Sequence, residues 1–117
     1  MLKAFTAAFL VVSAASTALA TTASRHDGTW SVSLVTKEGK CDPTLSSQIQ
    51  VREGRVNESM LFARIVGAVN GNGAVNLQVV RGSEAMNASG KIAGARGAGS
   101  WTAPSRNCSG SWTAVRA

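Results

Sequence analysis

The sequence predicts an all-β fold: an antiparallel up-and-down meander of about eight short strands, closed into a small barrel or flattened into a sandwich, with one disulfide. Three observations predict it. A short phrase occurs three times, as Gly28-Thr29-Trp30-Ser31-Val32, Gly99-Ser100-Trp101-Thr102-Ala103 and Gly110-Ser111-Trp112-Thr113-Ala114. In each, Trp alternates with small hydroxyl residues at the period of a strand, just after a turn-forming glycine. The phrases lie at the two ends of the chain, so gathering Trp30, Trp101 and Trp112 into one core sets the first strand beside the last two. Between them, runs with one apolar and one polar face are separated by glycine-bearing turns at even spacing, which is the pattern of a meander.

Taken in order, the chain opens with a secretion signal. Met1-Leu2-Lys3 is a short positive start, Ala4 to Ala15 is apolar, and Ala18-Leu19-Ala20 has the small-x-small form of a cleavage site. The apolar run is shorter than the roughly 20 residues that span a bilayer. Residues 1–20 are therefore read as cleaved, which places the mature protein in the periplasm or the medium with no stable membrane insertion. Residues 21–27 are expected as a flexible N-terminal segment and residues 28–117 as a single β-domain. Its strands are expected near 28–36, 46–52, 55–59, 61–69, 74–81, 84–92, 97–103 and 109–116. Turns at Glu53-Gly54, Asn70 to Gly73, Arg81-Gly82-Ser83, Gly94 to Gly97 and Pro104 to Asn107 separate the later ones.

Cys41 and Cys108 are the only two cysteines, and in an exported chain an even count reads as a disulfide with a single possible pairing. Metal binding is disfavoured, because no CxxC spacing exists and His26 is the one histidine. Lys and Arg number 12 against 6 Asp and Glu, a net charge of +6 that falls by one when Lys3 leaves with the signal. The arginines are spread along the chain, with no basic run and no Tyr to interleave, which argues against nucleic acid. Solvated turn charge accounts for them; a partner, if there is one, would be an anionic envelope glycan, a lipid head group or another protein.

Inward positions divide by size. Trp30, Leu34, Ile49, Leu61, Ile65, Leu77, Met86, Ile92, Trp101 and Trp112 fill an interior, whereas Ala63, Gly67, Ala88, Gly90 and Ala114 leave room. The reading favours a filled core, since so small a domain has few layers to spare around a pocket of several hundred cubic ångströms. Catalytic patterns are lacking. His26-Asp27 is the one base beside an acid, but neighbours on an extended chain point to opposite sides. Asp42, Glu53, Glu58 and Glu84 follow no pairing pattern, and His26, Met60 and Met86 are the only axial ligands on offer for haem, with the two Met better read as gap-fillers. No enzyme activity, metal or cofactor is expected. Asn57-Glu58-Ser59, Asn87-Ala88-Ser89 and Asn107-Cys108-Ser109 fit the glycosylation sequon, which matters only in a glycosylating host.

Gly28-Thr29-Trp30 on the first strand with Arg116 near the end of the last resembles the calycin arrangement of lipocalins, avidins and small secreted metalloprotease inhibitors. That resemblance implies a guanidinium packed over the Trp at the closed end of a barrel. With Cys41 following, the chain is similar to secreted inhibitors of serralysin-type proteases. It departs from them in the late position of Cys108 and in having only Thr21-Thr22-Ala23-Ser24 to match the inhibitory trunk. The closer resemblance, over most of the mature chain, is to small uncharacterised exported proteins of alphaproteobacteria. It rests on Asp27 to Val32, Cys41 and the Cys-x-Gly-x-Trp-x-Ala ending at Cys108 to Ala114. The function expected is that of a non-enzymatic binding or interaction protein of the cell envelope. A calycin-type protease inhibitor and a small-ligand carrier are the alternatives, the latter requiring a cavity.

Overall fold

Period-two alternation and tight turns together generate one sheet. The computed structural model describes residues 25–60 and 62–117; the expected signal, residues 21–24 and Leu61 lie outside the described residues. The strands are β1 (Gly28–Glu38), β2 (Thr44–Val51), β3 (Arg55–Met60), β4 (Ala63–Val69), β5 (Ala74–Arg81), β6 (Glu84–Ala93), β7 (Arg96–Ala103) and β8 (Cys108–Arg116). A single turn of 3-10 helix, Pro104–Arg106, joins the last two. The sheet order is β2-β1-β8-β7-β6-β5-β4-β3, and every neighbouring pair in it is antiparallel. Pairing of β1 with β8, from Trp30↔Arg116 to Glu38↔Ser109, curls the meander into a nearly closed barrel, as the terminal Trp phrases require.

The repeated phrase has a packing reason. In the β7–β8 register Gly99 stands opposite Trp112 and Trp101 opposite Gly110, so each strand offers a missing side chain where the other offers an indole. A Cβ added at Gly99 would lie 2.6 Å from Trp112 Nε1, and one at Gly110 2.9 Å from Trp101 Nε1. Both indole N–H groups donate to strand carbonyls: Trp112 to Ser89 at 3.0 Å, and Trp101 to Val35 and Ser111 at 3.2 Å each. The third Trp, on β1, meets Arg116 instead of a glycine.

Closure is incomplete between β2 and β3. Glu53 and Gly54 have φ of 53° and 74°, the double positive φ of a type I′ hairpin turn, and Arg52 and Arg55 exchange two hydrogen bonds of 2.9 Å across it. Beyond that one bridge the strands part. The Gln50 N–H then donates to the Glu58 carboxylate at 2.7 Å, a side chain standing in for a ladder bond. The remainder of this seam is a pair of sheet edges facing each other. The disulfide Cys41–Cys108 joins the β1–β2 loop to the start of β8, with Cα atoms 6.1 Å apart, at the opposite end of the barrel from the hairpin turn.

Candidate ligand chamber and its floor

Residues 25–27, expected within a flexible segment, are bonded to the barrel and build its floor. The Arg116 guanidinium lies 4.7 Å from the Trp30 ring centroid. Its Nη2 donates to the Arg25 carbonyl at 2.7 Å and its Nη1 to the Asp27 carbonyl. Trp30, only 1% exposed, donates its Nε1–H to the His26 carbonyl at 2.8 Å. The Asp27 carboxylate accepts from the backbone N–H groups of Glu53 and Gly54 at 2.7 and 2.9 Å, tying the lead-in to the hairpin turn that starts the seam. Sequence reasoning missed this use of Asp27 because its partners lie 26 and 27 residues away. Arg116→Ala removes two charge-assisted bonds and the cation-π contact, and is expected to cost about 2–3 kcal/mol, read by urea denaturation. Deleting residues 21–26 should lower Tm further than deleting 21–24, because the longer deletion also removes the carbonyls of Arg25 and His26. A protease-inhibiting trunk would have to come from residues 21–24, outside the described residues.

Above the floor the expected filled core is not what the structure holds. An apolar chamber of about 280 Å³ runs up the barrel axis, walled by Trp30, Ile49, Ile65, Leu77, Met86 and Trp112 among others. Its volume follows from the small inward residues. Ala63, Ala88, Ala114 and Ser47, from four different strands, are among its lining. The open seam adds to it, since with no ladder between β2 and β3 the walls are not drawn together there. Among the described residues Ser47 and Arg81 are the only polar or charged members of the wall. The chamber reaches the surface at the mouth, where Leu45 on β2 and Met60 on β3 are 55% and 46% exposed. A second, more polar hollow of about 340 Å³ continues it there, sharing Leu34, Leu45, Val79, Arg81 and Met86 and adding Thr36, Asp42, Glu84 and Arg106.

The remaining candidate residues are dispersed. Glu84 pairs with Arg106 at 3.2 Å on the rim, Glu58 clips the seam, and among the described residues no group of three or more His, Cys, Asp or Glu could hold a metal ion. The outward faces of β5, β6 and β7 carry Asn76, Gln78, Asn87, Ser89, Ser100 and Thr102 along a shallow groove, which is the polar surface the sequence anticipates. The arginines are not gathered along it. No helix among the described residues is long and apolar enough to cross a membrane.

These features define a class of architecture: an eight-stranded antiparallel barrel, stapled at its mouth by one disulfide, plugged at its floor and hollow between. Set against protein-family models, curated proteins and solved structures, the chain matches none.

Proposed function

We propose that the protein is an exported, non-enzymatic binding protein of the cell envelope that carries a small apolar ligand in its barrel. The apolar chamber is the observation that carries this reading. Among the described residues its wall has no carboxylate, imidazole or thiol to act as a base on its one hydroxyl, Ser47, so what it offers a bound molecule is contact area. The indole N–H groups of Trp30 and Trp112 are turned to backbone carbonyls, which leaves mostly carbon facing the space. At about 280 Å³ it stands at the lower edge of the range for ligand sites, suited to a molecule of one or two rings or a short alkyl chain. The staple of Cys41 to Cys108 supports residence in an oxidising compartment.

Titration with a neutral naphthylamine dye, followed by fluorescence, tests the reading. Dye binding with a blue-shifted emission is expected, together with loss of at least tenfold in affinity in Ala88→Leu, whose added methyl groups enter the chamber. Ala88→Leu should keep or raise Tm, because it fills apolar space. Failure of the wild-type chain to bind the dye, or equal binding by both proteins, would rule the chamber out as the site.

A further inference from the structure

The mouth of the barrel, where Leu45, Met60 and Arg81 also line the chamber, carries an exposed aromatic residue that the carrier reading does not use. Phe62, in the β3–β4 turn, is 76% exposed and has a φ of +69°, a left-handed conformation that aromatic residues rarely adopt. Met60, two residues before it at the end of β3, and Leu45, near the start of β2, are exposed at the same end on the two strands that part. Around them the ends and loops of the same rim hold Lys37, Lys40, Arg64, Arg81 and Arg106 against Glu38, Asp42 and Glu84. Five cations against three carboxylates leave this rim net positive, with Glu84 already paired to Arg106.

We infer that this rim is a docking surface for an anionic lipid bilayer, with Phe62 as its anchor. Three features select a bilayer over a protein. The exposed large apolar groups at this mouth are few, Phe62 beside Leu45 and Met60 of the chamber lip, whereas a protein partner needs a broad, complementary patch. An aromatic tip flanked by cations matches the level of lipid head groups, where rings and basic side chains are both favoured. The apolar chamber opens beside the same tip, so docking would set its mouth against the lipid. Of the three non-glycine residues with positive φ among the described residues, Glu53, Phe62 and Asn107, Phe62 alone is aromatic, and its ring stands exposed at the mouth.

Vesicle sedimentation tests the inference, using the chain as isolated from its export compartment with its N-terminus read by intact mass. Wild type is expected to sediment with phosphatidylglycerol vesicles and not with phosphatidylcholine vesicles. Binding should be lost when ionic strength rises from about 0.05 M to about 0.5 M. Phe62→Gly suits the left-handed backbone, so it should keep Tm and dye binding while weakening vesicle binding about tenfold. Equal vesicle binding by wild type and Phe62→Gly overturns the inference, as does no binding to either vesicle. A dimer that Phe62→Gly dissociates, seen by sedimentation velocity without vesicle binding, would assign the rim to a second copy of the chain and overturn it too. Because dye binding is scored separately, failure of the rim and failure of the chamber give different results.

Discussion

Replacing both cysteines by serine is expected to lower stability by roughly 4 kcal/mol in non-reducing buffer. The bond closes a loop of 67 residues in sequence, and opening it returns that much conformational freedom to the unfolded chain. The native state loses something as well. Cys108 is 4% exposed and packs with the core, and the β1–β2 loop is pressed against it so closely that a Cβ at Gly39 would meet the Cys108 sulfur at 2.7 Å. In Cys41→Ser/Cys108→Ser the loop loses its tether while β2 keeps one neighbour, β1, over most of its length. Hydrogen exchange should therefore quicken first in the Thr44–Ser47 half of β2, and least in β5 and β6, which are paired on both sides. Thermal melts of wild type with and without reductant, beside the double variant, provide the check. Three coincident curves would mean that the staple contributes nothing.

How much of this was legible beforehand follows from how local each signal is. Strand number and order were open to reading because alternation and turn residues act over a few positions, and observed ends fall close to the expected ones. The first strand runs on to Glu38 and the second begins at Thr44, since Thr36 bonds back to Asp42 and Pro43 and extends the ladder past the expected turn. The fourth begins at Ala63, because Phe62 is in the turn. The disulfide was legible by counting. The hollow was not: interior volume depends on how small residues from four strands align across the barrel, and single-strand patterns do not contain that alignment. The floor was half legible. Arg116 over Trp30 was implied by resemblance, whereas the bonds from Arg25, His26 and Asp27 join residues that no local rule connects. Glu58, which follows no pairing pattern in the sequence, closes a rung of the seam with the Gln50 N–H eight residues away.

Gly99→Ala is expected to cost about 3 kcal/mol or more, although it adds one methyl group and removes nothing. On a strand Ala is ordinarily no worse than Gly, and often better, since it restricts the unfolded chain. Here the new Cβ would stand 2.6 Å from Trp112 Nε1 and 2.7 Å from the Gly90 Cα, with the Ser89 carbonyl closer still. The indole cannot retreat without giving up its bond to that carbonyl, and the backbone cannot without opening the β6–β7 ladder at Gly90↔Gly99. Overpacking of this kind is costly because both sides of the contact are fixed. Gly110→Ala should behave alike through Trp101 and the Val35 carbonyl, as the reciprocal pairing of Gly and Trp on β7 and β8 requires. Gly71, where an added Cβ meets nothing within 4 Å, is the control, and Gly71→Ala should change stability by less than about 0.5 kcal/mol. Urea denaturation followed by Trp fluorescence measures all three, and the native emission of Gly99→Ala should also shift as Trp112 is displaced. If Gly99→Ala and Gly71→Ala unfold at the same urea concentration, the indoles are not seated on the glycines and the repeated phrase has some other cause.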